Sequence, residues 1–157
     1  MNIDQQIQEL IDQAPQDGTT PDLVVAIAPV LKSLASQLRH LQYYIVQTLD
    51  QSWAMTILEN QAQPELEKRV IYAFSELKDV TAGPYPIKDP DMIALPVPVT
   101  HILFQMLAME MISSIIFFEV PGNVTTGIEI QRKQLTDLIE AHLTQAPLPS
   151  NLPPNIA

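Results

Sequence analysis

The chain contains no cysteine, which excludes disulfides, zinc–thiolate centres and thiol nucleophiles in one stroke. It has only four glycines among 157 residues, and none stands in a phosphate-cradling G-x-x-x-x-G-K or dinucleotide-binding G-x-G-x-x-G run. Basic residues are scarce, 8 against 18 acids, giving a net charge of −10. A nucleic-acid surface carries a basic footprint, so nucleic acid is not an expected partner, whereas basic proteins are compatible ones. The amino end, MNIDQQIQELIDQ, has neither a positive n-region nor an apolar h-region, which points to the cytoplasm. No uninterrupted apolar run approaches the roughly 20 residues that a membrane span needs, so membrane insertion is not expected.

What is present is apolar mass: 46% of residues are hydrophobic and 17% charged, enough for one domain with a proper core. The stretch Leu95–Val120 concentrates it. It reads as a proline-bounded turn (Leu95–Pro98), a helix over 99–111 that is apolar on nearly every side, and a strand over Ile115–Val120. At 100° per residue, Val99, Ile102, Leu103, Met106, Leu107 and Met109 fill one arc, and His101 with Gln105 form the only polar strip. Glu110 falls inside the apolar arc. The helix is expected to fray near Met109 and release Glu110 to solvent; the rival is a carboxylate held at a buried seam.

The remaining elements follow from periodicity and punctuation. Ile3, Ile7, Leu10 and Ile11 predict a helix over about 3–13, and Ala14–Gly18 ends it. Thr20-Pro21-Asp22 is read as a hydroxyl N-cap, proline at N1 and an acid in the first turn. Leu23, Ile27, Val30, Leu31, Leu34 and Leu38 form the stripe of the helix that follows, which Pro29 should kink. Strands are predicted over Tyr43–Val46, Trp53–Leu58 and Arg69–Phe74 as an antiparallel meander, with turns at Leu49–Ser52 and Asn60–Pro64. Ser75 is read as the cap of a short helix, Glu76–Ala82, closed by Gly83. A packed loop, Pro84–Asp91, precedes the central stretch. After it come a turn at Pro121-Gly122-Asn123, an extended piece near Ile128–Ile130, and a helix marked by Leu135, Leu138, Ile139 and Leu143. The proline-rich end is expected to be extended and mobile.

The expectation is therefore a single α+β domain with an antiparallel sheet of four to five strands packed with helices. Residues 1–40 form an N-terminal helical extension, 41–146 the α+β core, and 147–157 a proline-rich tail.

Chemistry-bearing motifs are few. His40, His101 and His142 share no metal-ligand spacing, so no metal and no cofactor is expected. Ser75-x-x-Lys78 matches a serine acyl-enzyme motif without its companions and reads better as a cap. Asn123-Val124-Thr125 fits a sequon but reads as a turn. Met106, Met109 and Met111 suit either a core or an adaptable binding surface. His101 and Glu110, nine positions apart on one helix, point about 180° from each other, which argues against an acid–base pair. No catalytic residue is assigned.

Two functional classes remain. The leading expectation is a non-enzymatic protein-interaction or accessory module, self-pairing included. It rests on a central helix with more apolar girth than one sheet face can cover. The alternative is a small-molecule-binding regulatory domain, with a pocket between helix 99–111 and loop 83–91 and polar contacts from Tyr85, His101, Gln105 and Glu110.

From about residue 53 to 145 the order of elements resembles the N-terminal domain of SseB-type (enhanced serine sensitivity) proteins. The resemblance is carried by Val70-Ile71-Tyr72-Ala73-Phe74-Ser75 and by Leu95-Pro96-Val97-Pro98 leading into Ile102-Leu103. Ile115–Phe118 with Pro121-Gly122-Asn123, and Leu135–Ile139, complete it. It implies an α+β interaction or accessory module without established catalytic residues, and it transfers no functional residue. The glutamine-rich, cysteine-free composition is also similar to that of conserved cyanobacterial proteins of unknown function, a likeness without mechanism.

Overall fold

The computed structural model describes residues 2–50, 52–58, 67–82 and 91–145. Helix α1 (Ile3–Gln13) starts in a capping box: the Asn2 side chain accepts from Gln5 N at 2.8 Å, and the Gln5 side chain accepts from Asn2 N at 2.9 Å. Helix α2 (Thr20–Ser36) starts differently from expectation. Thr20 is its first residue rather than its cap, and the capping acceptor is the Asp17 carboxylate, which takes Thr19 N at 2.9 Å and Thr20 N at 2.7 Å. A carboxylate competes better than a hydroxyl for unpaired helix donors because its charge strengthens the bond. The Thr20 hydroxyl, which donates to Asp17 at 2.7 Å, and then these two N–H groups hold Asp17 well below the usual carboxylate range.

The buried stripe of α2 begins at Val24 and continues through Ile27, Leu31, Leu34 and Ala35. Leu23, expected in that stripe, is 46% exposed, because the inward face is turned by one position. The helix runs unbroken through Pro29, whose ring lies on the exposed side.

Among the described residues six strands make one sheet: β1 (Gln42–Thr48), β2 (Thr56–Leu58), β3 (Lys68–Phe74), β4 (Met92–Pro98), β5 (Ser114–Phe117) and β6 (Ile128–Gln131). Their order is β4-β1-β3-β5-β6, with β2 also on β3. The architecture is α+β. The strand beyond the expected number is β4, which replaces the proline-bounded turn and pairs with β1 along its length, from Gln42↔Pro98 to Thr48↔Met92. It tolerates Pro96 and Pro98 because it is an edge strand. Two positions apart, both prolines omit an N–H on the outward side, where no ladder bond is lost.

The expected meander is a fork. The end of β3 pairs with β1 (Tyr44↔Phe74) and its start with β2 (Thr56↔Val70). Between them Ala54 N donates to Val46 O at 2.8 Å, and Trp53 bridges Gln47. One pair departs from the antiparallel pattern: β3 and β5 are parallel, Val70↔Ser114 to Ala73↔Phe117. Their connection passes through α3 (Leu77–Ala82), β4 and α4 (Val99–Ala108), and such a crossover returns the chain to the same end of the sheet.

All the described helices except α3 gather on one face. Tyr43, Ile45, Ile71, Ala73, Ile115, Phe117 and Ile130 present that face to Ile7 of α1, Ile27, Leu31 and Leu34 of α2, and Ile102, Leu103 and Met106 of α4. Leu135 of the last helix, α5 (Arg132–Gln145), joins the same cluster. The apolar girth of α4 is thus met within the chain: α1, α2 and α5 all pack on it. On the opposite face Val46, Phe74 and Phe118 meet Val80 of α3, with Tyr72 stacked on Phe118.

Ser75 does not cap α3. Its hydroxyl is buried with no partner among the described residues, and Asp79 N bonds instead to Glu76 O at 3.1 Å. The turn at Asn60–Pro64, Gly83 and the loop through Pro90, and the 147–157 segment lie outside the described residues.

Candidate interaction groove

The site is built around α4, which is held at both ends by side chains from distant elements. Its cap residue is Pro98, which offers no side-chain acceptor. Gln6 of α1 supplies one. Its buried amide oxygen accepts from Thr100 N at 3.0 Å and from the Thr100 hydroxyl at 2.8 Å, while its nitrogen donates to Leu41 O at 2.8 Å. At the other end Arg132 donates through Nη2 to Leu107 O at 2.7 Å and through Nε to Met106 O at 3.2 Å. Met106 O also accepts from Met109 N at 3.1 Å, so Arg132 adds a second donor there, and a cation at this end also opposes the negative end of the helix dipole.

The chain leaves the helix at Met109, and Ile112 N returns to Met109 O at 3.0 Å to form a tight turn. Glu110 sits in that turn and is exposed, the outcome expected of a frayed end rather than a buried seam. The turn and the last helical residues form one wall of an open groove of about 800 Å³. Gln105, Ala108, Met109, Glu110 and Met111 line this wall; Ser52, Trp53 and Met55 line the other. Met111 is 63% exposed, unusual for a side chain of that size and hydrophobicity. Trp53 and Met55 pack their inner sides on the main core and leave the rest to the groove.

Register extends this apolar character onto the sheet. Trp53 bridges Gln47, and Gln47 faces Ile93 on β4. Ile45 faces Leu95. Directly paired residues share a sheet face, so Ile93 and Leu95 lie on the helix-bearing side. They are 43% and 40% exposed, beyond the cover that the helices give.

Of the residues expected at a ligand pocket, Gln105 and Glu110 line this groove together. His101 does not: its Nε2 donates to Gln6 O at 3.1 Å and lies 3.5 Å from Glu9, binding α4 to α1. Tyr85 and the loop expected to close the pocket lie outside the described residues, and the second wall of the groove comes from 52–55. Met106, grouped with Met109 and Met111 in the sequence, is fully buried core.

Sequence reasoning missed a second polar constellation. Glu119, just past β5 and buried, accepts from the Tyr43 hydroxyl and from Arg39 N at 2.7 Å. Its backbone carbonyl accepts from His40 Nε2 at 2.7 Å, so that nitrogen carries the proton. Burial, with the Glu119 carboxylate beside it, pushes the Tyr43 phenol far above its ordinary range. Tyr43 is fully buried, with the Phe117 and His40 rings packed edge-on at 72° and 90°, which leaves no room for a substrate and makes this a structural clasp.

Among the described residues, no three His, Asp or Glu side chains gather where they could hold a metal ion, and no helix is long and apolar enough to cross a membrane. Compared with known proteins, the chain matches no family model and no curated protein.

Proposed function

We propose that the chain is a non-enzymatic protein-interaction module that docks its partner in the groove between the end of α4 and residues 52–55. The observation that carries the reading is the groove itself, walled by Trp53, Met55, Met109 and Met111. Flexible thioethers adapt to the shape of an incoming apolar surface, and a tryptophan supplies a large rigid contact. The surplus apolar surface lies here and along Ile93 and Leu95, rather than around α4. A second copy of the chain is one form that such a partner takes.

A small-molecule site is the second reading. Gln105, Glu110 and Ser52 place three polar groups beside apolar side chains in a concavity of ordinary ligand-pocket size.

The test is a comparison of co-purified proteins from the native cells, using the tagged chain and its Met111→Asp variant. Met111 is an exposed side chain, so the variant should keep the urea midpoint of the parent. A partner retained by the parent and lost by Met111→Asp supports an interaction groove. Identical sets overturn it. Size exclusion with light scattering at low and high micromolar concentration identifies self-pairing.

A further inference from the structure

The chemistry of the groove narrows the partner, on the footing that the groove is a docking surface. Glu110 is the only charged residue on its described lining, and none of the described lysines or arginines reaches it. The whole chain carries −10. A second copy would bring an equal negative charge, and a two-fold contact would set the same patch, Glu110 included, against itself. A basic partner meets the groove with complementary potential and is steered toward it.

The backbone nearby decides the partner's conformation. An extended peptide adds to a sheet through the free N–H and C=O groups of an edge strand. Strand β4 is the edge on this side, and Pro96 and Pro98 remove two of its outward donors. The groove lies between the end of a helix and residues 52–55 rather than along that edge, and its lining residues carry an indole, three thioethers, a methyl, a hydroxyl, an amide and a carboxylate. That surface suits a helix laid in by its apolar face, with anchors at i, i+3 or i+4, and i+7.

We infer that the groove takes an amphipathic helix of a basic partner protein, its apolar face on Trp53, Met55, Met109 and Met111 and a lysine or arginine against Glu110. The methionines accommodate varied apolar anchors, so sequence selectivity rests on the charge at Glu110 and on the spacing of the anchors.

Trp53 is the only tryptophan of the chain, so its emission reports the groove directly. The full chain is titrated with three synthetic peptides: a leucine–lysine helix with apolar residues at helical spacing, the same peptide with glutamate for lysine, and a lysine peptide with scrambled apolar spacing. The leucine–lysine peptide is expected to shift Trp53 emission to shorter wavelength and saturate, with the other two at least about tenfold weaker. Glu110→Lys should weaken the first peptide about tenfold. Glu140→Lys, an exposed position on α5 with the same change in net charge, should leave it nearly unchanged.

Equal binding of the lysine and glutamate peptides, or equal effects of Glu110→Lys and Glu140→Lys, overturns the inference while leaving the groove a docking surface. A blue shift that grows with protein concentration alone, alongside a dimer mass, also overturns it and assigns the groove to a second copy. Unmoved Trp53 emission with every peptide and no self-association removes both the inference and the reading beneath it.

Discussion

The Tyr43 hydroxyl donates to the Glu119 carboxylate, joining the second position of β1 to the chain just past β5. Both side chains are buried, and Arg39 N is the carboxylate's other donor. Tyr43→Phe keeps the ring packed on Phe117 and deletes only that donor. It leaves Glu119 Oε1 inside the protein with a lost partner, which costs about 2 kcal/mol. Urea unfolding should show a lower midpoint with an unchanged slope, since the surface exposed on unfolding is nearly the same.

The same pair sets an alkaline limit. The Tyr43 phenol is raised above its ordinary value of 10.0 by burial, then by the Glu119 hydrogen bond and charge. A group whose folded pKa is raised favours the protonated, folded form. Its contribution is complete below pH 10 and is lost as pH rises above it. The slope is about 1.4 kcal/mol per pH unit, because the unfolded chain releases a proton that the folded one retains. Stability measured from pH 9 to 11 should fall with this component in the parent and lack it in Tyr43→Phe.

Gln6 and Thr100 stand 94 positions apart and share two hydrogen bonds through one amide oxygen. Gln6→Leu takes the acceptor from buried Thr100 N and the Thr100 hydroxyl, while Leu41 O keeps Val99 N as its donor, for a loss of about 2–3 kcal/mol. Thr100→Val removes one of those donors and should cost about 1 kcal/mol. The double variant should cost less than the sum, with a coupling of about 1 kcal/mol in a thermodynamic cycle. Additive losses would mean that the two side chains stabilise the fold separately.

Two glycines should respond oppositely to what their backbones suggest. Gly122 has φ +84°, yet a Cβ there meets nothing within 4 Å, so Gly122→Ala carries only the left-handed strain of about 1 kcal/mol. Gly127 would place a Cβ 2.8 Å from Phe117 O and 2.9 Å from Ile116 Cγ2. The first contact is backbone in a paired strand and cannot swing aside, so Gly127→Ala should cost more, about 2–3 kcal/mol. Thermal midpoints of the two variants give the order directly.

What the sequence made legible was local. The Asn2–Gln5 start of α1, the strand through Tyr43–Val46 and the fraying at Met109 depend on neighbours within a few positions, and periodicity or capping chemistry reports them. Strand β4 was hidden because Pro96 and Pro98 carry the chemistry of a turn; only its place at the sheet edge makes them harmless. The parallel pairing of β3 with β5 depends on a crossover, which no local pattern encodes. Half of the candidate site was visible: Gln105 and Glu110 were singled out and do share the groove, but His101 had a buried partner in Gln6 that no spacing rule reveals. Trp53 and Met55 read as ordinary strand residues, and their role in the opposite wall arises because the strand stops short of them.

Arg132 connects the stability of α4 to the groove. Its two donors hold the carbonyls of Met106 and Leu107, which lie between Gln105 and Ala108 of the groove wall. Arg132→Lys keeps the charge but loses the planar fork that reaches two carbonyls at once, and Arg132→Met loses both. Lysine should cost about 1 kcal/mol from the lost hydrogen bond, and methionine about 2 kcal/mol because it also loses the charge that complements the helix dipole. The more telling measurement is hydrogen exchange. Amides of the last turn of α4 and of Met109 and Ile112 should exchange faster in both variants, with methionine the larger effect, while those of β1 and β3 stay protected. If exchange rises evenly across the sheet instead, Arg132 supports the whole fold, and the groove wall has no separate dependence on it.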